Sequence, residues 1–252
     1  MDRAYSLLDI KSVNEDERVI SGIASHVIAP HLPGGTPYDP LKDFTHIALL
    51  GGPPAVFAVE PSLPAKTLKE FVELAKKEPG KLTYGSPGTG TQGQLVAEYF
   101  KRLAGINVVH VPYKGASQAV TDLMGGQINA VSTTLSTAAG QIKGGRARAL
   151  ALSSAERLPD YADIPTFAEQ GYPDLVATVW FSLSGPAGMP PEIADKLNAE
   201  VRRALETSEV RSRLRHDGIT PNRLDAKQFT AFVADELRRW GPIVRASGAK
   251  KD

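Results

Sequence analysis

The 252-residue sequence has no cysteine, which excludes disulfides, thiolate metal ligands and a cysteine nucleophile, and suits an oxidising compartment as well as a reducing one. An excess of either charge is lacking too. With 29 Lys and Arg against 28 Asp and Glu the formal net charge is +1, so neither a nucleic-acid footprint nor an acidic partner is indicated. No apolar run approaches the 18 or so residues of a membrane span. The start, "MDRAYSLLDIKSVNEDERVI", is rich in acidic residues and has no apolar core of a secretory signal, so the chain as written is expected to stay in the cytoplasm. The five histidines, at 26, 31, 46, 110 and 216, include no i, i+4 helical pair, so no metal site is expected.

What is present is an alternating α/β pattern. Residues 4–10 and 18–24, "AYSLLDI" and "RVISGIA", read as the two arms of a β-hairpin around a polar stretch. The segment "HLPGGTPYDPLKDF" is a loop with tight turns. "HIALLGG" and "AVFAVEP" are short buried strands, followed by a helix over about 67–77, where Thr67 and Glu70 have capping-box spacing and Pro79-Gly80 ends the element. Then come strand "KLTYG", a helix over about 92–104 stopped by Gly105, strand "INVVHV", and a helix over about 117–124 that Ser117 can cap. Strand "INAVST", a helix over about 137–143 and strand "ARALALS" follow. This order implies a mostly parallel sheet with helices on its faces. After "VATVWFSLSG" the chain becomes helical, with Pro191 in a first turn where its missing N–H is harmless, and further helices over about 208–216 and 226–246.

The stretch with the most chemical content is "YGSPGTGTQGQ", which contains Gly88-Thr-Gly90-Thr-Gln-Gly93, a G-x-G-x-x-G between a strand and a helix. A strand that ends in glycines and opens a helix gathers unpaired backbone N–H groups and the positive end of the helix dipole at one spot, which suits a phosphate or a carboxylate. A dinucleotide site also needs an acid about 20 residues on, at the end of the next strand. Here "INVVHVPYKG" ends in Pro112, Tyr113 and Lys114 instead. The generic anion site, the dinucleotide site and a purely structural tight turn all remain open at this stage. Tyr84-Gly85-Ser86-Pro87-Gly88 overlaps a nucleophile elbow, but Tyr84 stands at the first glycine and Pro87 removes an oxyanion donor. No Lys follows the glycines as a Walker loop requires.

Elsewhere the residues give weaker hints. Tyr113 and Lys114 follow a strand's C-terminal end, near where ligands sit in open parallel sheets. Trp180 falls where the pattern turns helical and could form an aromatic wall at a lobe junction or simply pack in the core. The charges of 196–215 are spaced as a solvated helix face. With no carboxylate pair, no nucleophile beside a base and no metal cluster, no catalytic residue and no cofactor are expected, and the remaining chemistry is binding.

The run "YGSPGTGTQGQLVAEYFKRLAGINVVHVPYKGASQAVTDLMGGQINA" closely resembles the receptors of tripartite tricarboxylate transporters, the Bug-type periplasmic solute-binding proteins. The resemblance continues through "RALALSSAERLPDYADIPTFAEQGYPDL", "WFSLSGPAGMPPEIADKLNAEV" and "RWGPIVRASG", and begins at about His26 with "HVIAPHL" and "PYDPLKDFTHIALLG". It implies an α/β, two-lobed periplasmic-binding-protein fold of type II, periplasmic, monomeric and without catalysis. Such a receptor closes on a small carboxylate, a dicarboxylate, tricarboxylate or acidic amino acid, and delivers it to membrane permease subunits. In the family one carboxylate is held at the glycine loop of the second lobe, which carries over onto Ser86, Gly88, Gly90 and Thr91. Gln92, Tyr113, Thr133, Trp180, Ser25 and His26 complete the expected ligand-binding set. Ala29 stands where the family commonly has Asn, and Asn129 and Thr133 where it has Asp, so the ligand's identity is left open.

The first 25 residues do not fit this family. The expected signal peptide, first strand, Pro-Pro-Gly-Gly loop and long helix are absent, and "RAYSLLDIKSVNEDERVISGIAS" resembles the N-terminal hairpin of tailed-phage prohead proteases instead. The expectation is therefore a foreign hairpin over 1–25, an incomplete first lobe over 26–59 and 181–252, and a second lobe over 60–180, with Tyr5, Leu7, Val19 and Ile23 as hairpin packing residues and ligand affinity reduced by truncation. Two alternatives are a dinucleotide-dependent oxidoreductase using the Gly88–Gly93 loop and a phage-assembly protein.

Overall fold

The computed structural model describes residues 19–249. The expected strand over 4–10, with Tyr5 and Leu7, and the side chain of Val19 lie outside the described part. In chain order the strands are β1 (Val19–Gly22), β2 (Phe44–Gly51), β3 (Ala55–Val59), β4 (Thr83–Ser86), β5 (Val109–Pro112), β6 (Ala130–Thr134), β7 (Arg148–Leu152) and β8 (Phe181–Pro186). The helices are α1 (Leu68–Lys77), α2 (Gln92–Ala104), α3 (Ala116–Met124), α4 (Leu135–Lys143), α5 (Pro191–Leu205), α6 (Ser208–His216) and α7 (Ala226–Ala246). A π-helical turn, Ala24–Ile28, and a 3-10 turn, Ala29–His31, follow β1.

The strands form two sheets. One is antiparallel, in the order β1-β8-β2, and the other has five strands in the order β5-β4-β6-β3-β7. Within the larger sheet β4 runs parallel to β5 and β6, whereas β3 is antiparallel to both its neighbours, β6 and β7. The sheet thus has two parallel and two antiparallel pairings, less parallel than the alternation implied, because β3 runs against the other four strands. That reversal has a topological cause: β3 enters directly from β2 of the other sheet instead of through a crossover helix, so nothing turns it to run with its neighbours. β3 also lies in the five-stranded sheet, whereas residues 55–59 were expected with the flanking segment of the first lobe. The chain passes between sheets at Gly51 to Pro54 and again before β8. These two passages lie side by side, with Val179 N–H donating to the Pro53 carbonyl at 2.9 Å. A Cβ on Gly52 would stand 2.0 Å from the Val179 carbonyl oxygen, so only glycine allows the approach.

β1 hydrogen-bonds to β8 in the register Val19↔Ser184 to Gly22↔Phe181. The expected second hairpin arm is thus a strand of the smaller sheet, and Ile23, 2% exposed, enters the core. α7 packs across this sheet with Phe229, Val233, Trp240 and Val244 buried, and its start is fixed by a capping box between Asp225 and Gln228.

α1 begins at the Thr67–Glu70 capping box. α2 begins at Thr91, whose side chain accepts from Gln94 N–H, and ends at Gly105 in the left-handed region at φ 62°. Its apolar face, Leu95, Val96, Phe100 and Ala104, lies in the same core as Phe57, Phe71 and Phe167. Burying a side chain such as Phe100 stabilises the fold by about 2–3 kcal/mol. α3 differs from expectation at its start: it opens at Ala116 behind Gly115, and Ser117 does not cap it. β5 starts at Val109, three residues later than the apolar run suggests.

Candidate functional site

The C-terminal ends of β4, β5, β6 and β7 all reach one edge of the large sheet, together with the entry of reversed strand β3. That edge is where the two passages cross to the smaller sheet. The glycine turn between β4 and α2 sits there, and its geometry follows from a few short contacts. Gly88 (φ 150°) and Gly90 (φ 76°) adopt backbone angles that residues with a Cβ rarely take. A Cβ on Gly93 would lie 2.4 Å from the Ser132 carbonyl oxygen, so the third glycine lets the first turn of α2 press onto β6.

Most polar groups of the turn are committed to one another. Thr91 Oγ1 donates to the Gly88 carbonyl at 2.7 Å, and Gly90 N–H donates to Gln94 Oε1 at 2.6 Å. Ser86 Oγ lies 2.7 Å from His110 Nε2, donates to the Gly88 carbonyl at 3.1 Å and accepts from Gly88 N–H at 3.3 Å. Ser86 is fully buried, so its hydroxyl shapes the turn from behind. The amides of Gln92 and Gly93, first in α2, have no carbonyl one turn back to accept them, and the helix dipole adds positive potential at the same place. The Gln92 side chain is 5% exposed, and neither its Oε1 nor its Nε2 has a partner. The hydroxyl of Ser132, on the strand α2 touches, is likewise buried and unpartnered. An arrangement of orphan amides, a dipole and uncommitted neutral polar groups is suited to receive an anion without a formal counter-charge.

The other expected site residues distribute unevenly around this turn. Ala130 belongs to the core shared with α2 and Val131 to the cluster under α3 and α4, so strand alternation places Ser132 on the α2 side and Thr133 on the opposite face. Thr133 is fully buried with an unpartnered hydroxyl. Tyr113 adjoins the turn through its backbone, its N–H donating to the Ser86 carbonyl at 3.1 Å. Its phenol, however, donates to Asp122 Oδ2 on α3 at 2.8 Å; local burial, with that carboxylate's help, pushes its pKa up to about 12. Lys114 is exposed at the rim.

Trp180 is 1% exposed, with its ring edge-on to Phe229 and Phe232 and its indole N–H donating to Glu236 Oε2 at 3.1 Å. It is a core residue at the junction of the sheets and lines a cavity of about 600 Å³ together with Gly52, Pro54, Ser154 and Asn222, at the β7 side of the passages. Ser25 and His26 are not brought to the glycine turn. They lie in the π-helical segment, where Ser25 Oγ is 3.1 Å from His26 Nδ1 and the His26 ring packs on Phe44 and His46. Burial lowers the pKa of His26 to about 3 and of His46 to about 4, so both are neutral core groups. Asn129 stitches the opposite end of the sheet, its Oδ1 accepting from Thr83 N–H at 2.9 Å and its Nδ2 donating to Glu60 at 3.0 Å.

Three residues that sequence reasoning did not select, Gln94, His110 and Ser132, prove to support the turn. His110 follows Tyr84 in the parallel register of β4 and β5, and the two rings stack at 4.8 Å. The strand pairing that would have revealed it leaves no local mark in the sequence.

Comparisons with known proteins agree with this architecture. The family described as "Tripartite tricarboxylate transporter family receptor" matches residues 11–249, so the match starts within the segment 1–25 that was expected not to fit it, and takes in β1, which pairs with β8. Protein BugT of Bordetella pertussis is 34% identical over 214 residues, covering 85% of this chain and 66% of that protein, so the matched stretch spans about two thirds of the relative's length. Among solved structures, R. palustris Rpa4515 with adipate superposes with a TM-score of 0.83 at 28% identity, covering 96% of this chain and 81% of that one. MatC from Rhodopseudomonas palustris with bound malate gives a TM-score of 0.76 at 30% identity, covering 90% and 78%.

Proposed function

Because the chain belongs to the tripartite tricarboxylate transporter receptor family, we propose that it is a solute-binding receptor that captures a small carboxylate, with the N-terminus of α2 as the anion seat. The observation that carries this reading is the glycine turn: Gly88, Gly90 and Gly93 bring the orphan amides of α2 and the uncommitted groups of Gln92 and Ser132 to the edge between the sheets. The absence of an acid after β5 argues against a dinucleotide, since the strand ends in Pro112 and Tyr113. Two solved relatives carry dicarboxylates, adipate and malate, which supports the same ligand class here.

In this reading the two sheets close on the ligand about the paired passages at Gly52 and Val179, and no bond is made or broken. The receptor works as a monomer in the periplasm and hands its ligand to the permease subunits of the transporter. Ser86 contributes through the turn it stabilises, and Gly90, Thr91 and Gln92 through the seat itself. Calorimetric titration with adipate, malate, citrate, glutamate and aspartate tests it: saturable binding of at least one supports the assignment. Binding of a nicotinamide nucleotide in place of every carboxylate would defeat it.

A further inference from the structure

The hydrogen bonds behind the glycine turn assign a proton. Gly90 N–H can only donate, so the Gln94 atom facing it at 2.6 Å must be the carbonyl oxygen. The Gln94 amide nitrogen then faces His110 Nδ1 at 3.5 Å, which requires that nitrogen to be bare. The imidazole proton therefore sits on Nε2 and points at Ser86 Oγ, 2.7 Å away, while the Ser86 hydrogen passes to the Gly88 carbonyl. Each donor in the circuit meets an acceptor in one arrangement only. Stacking on Tyr84, at an interplanar angle of 24°, holds the ring in this arrangement.

We propose that His110 is the positioning residue of the glycine turn, and that its protonation reverses the Gln94 amide and frees the Gly90 N–H, so that capture of a carboxylate takes up a proton. This rests on the carboxylate reading given above. A proton on Nδ1 would set a donor against the Gln94 NH2. Turning the amide over restores that contact but aims the NH2 at Gly90 N–H, which must then find another acceptor. A carboxylate at the α2 N-terminus provides it, and the imidazolium adds a positive charge behind the turn. The charged groups facing His110 are Glu98 and Lys101 from α2, with the Tyr84 phenol from β4. Glu98 accepts from Tyr84 Oη at 2.6 Å and from Lys101 Nζ at 2.8 Å, and it favours the His110 proton more than Lys101 opposes it. Burial, aided by Lys101 and opposed by Glu98, keeps the His110 pKa below the ordinary value, which leaves it neutral at pH 7 in the free protein.

The test uses the wild-type protein, with His110→Gln serving to identify the imidazole signal. Nitrogen-15 NMR should show the Nε2–H tautomer at pH 7.5, and the Gly90 amide shift should follow the His110 titration. An Nδ1–H tautomer, or a Gly90 amide indifferent to that titration, overturns the proposal whether or not any ligand binds. Calorimetry with adipate in two buffers of different ionisation heat should show proton uptake, with affinity rising by up to about tenfold per unit of falling pH for a single linked proton. Adipate binding with no proton uptake and equal affinity at pH 7.5 and pH 6 overturns the proposal and leaves the receptor function standing. If no carboxylate binds while Gly90 still follows His110, the carboxylate reading falls and the assigned proton circuit stands.

Discussion

The indole N–H of Trp180 donates to the buried Oε2 of Glu236 at 3.1 Å, joining the passage into β8 to the middle of α7, 56 residues away. Glu236 is 5% exposed and also accepts from Arg239 at 2.5 Å. A buried carboxylate with two donors is stable only as a set, because removing one partner leaves charge or a donor without compensation.

Replacing Glu236 with Leu is therefore expected to destabilise the fold by about 1–3 kcal/mol, from the stranded indole N–H, since the half-exposed Arg239 keeps its bond to the Val176 carbonyl. Urea denaturation followed by tryptophan fluorescence measures it. A midpoint unchanged from wild type would show that the pair contributes nothing.

Gly93→Ala should be more damaging than an ordinary glycine substitution in a helix. The backbone there is helical, where alanine is normally favourable by up to about 1 kcal/mol, but the new Cβ would press on the Ser132 carbonyl oxygen at 2.4 Å. The expected outcome is a lower melting temperature together with weakened carboxylate binding, as α2 is pushed off β6. A stabilised variant with intact binding would mean that the contact at β6 is dispensable.

Tyr113→Phe separates the expected role of this residue from the observed one. Its hydroxyl bonds Asp122 at 2.8 Å, on the α3 side. The substitution should cost about 1 kcal/mol of stability through that lost bond and leave carboxylate affinity nearly unchanged. A large loss of affinity at unchanged stability would return the phenol to the ligand site.

Acid should weaken the fold through His26 and His46. Their folded pKa values of about 3 and about 4 lie below the ordinary 6.5, so above pH 6.5 both states are neutral and stability is unaffected. Below it the unfolded chain binds protons that the fold refuses, and stability falls as pH drops toward the folded values. At pH 5 each histidine should remove on the order of 2 kcal/mol. Urea midpoints at pH 7.5 and 5 measure the loss, and His46→Phe should reduce it. Equal midpoints at both pH values would contradict the burial of neutral imidazoles.

The legible parts of the fold are those whose cause is local. α1 announces itself through Thr67 and Glu70, α2 through the turn before it and Gly105 after it, and α5 through Pro191. The direction of β3 is not local: "AVFAV" reads the same whichever way it runs, and only its entry from β2 reverses it. The same limit applies to the site. The glycines show where the amides gather, but the partnership of Ser86 with His110 depends on β4 lying beside β5. Trp180 could be wall or core until Glu236 is placed beside it. His26, expected at the ligand, is drawn into the core by Phe44 and His46.

The central claim, that a carboxylate is seated on the N-terminus of α2, is tested most directly by a backbone amide shift map recorded while a dicarboxylate such as adipate is titrated in. Saturating shifts that are largest at Gly90, Thr91, Gln92 and Gly93 are predicted. Shifts confined to the cavity around Trp180 and Ser154, or none at millimolar ligand, would contradict it.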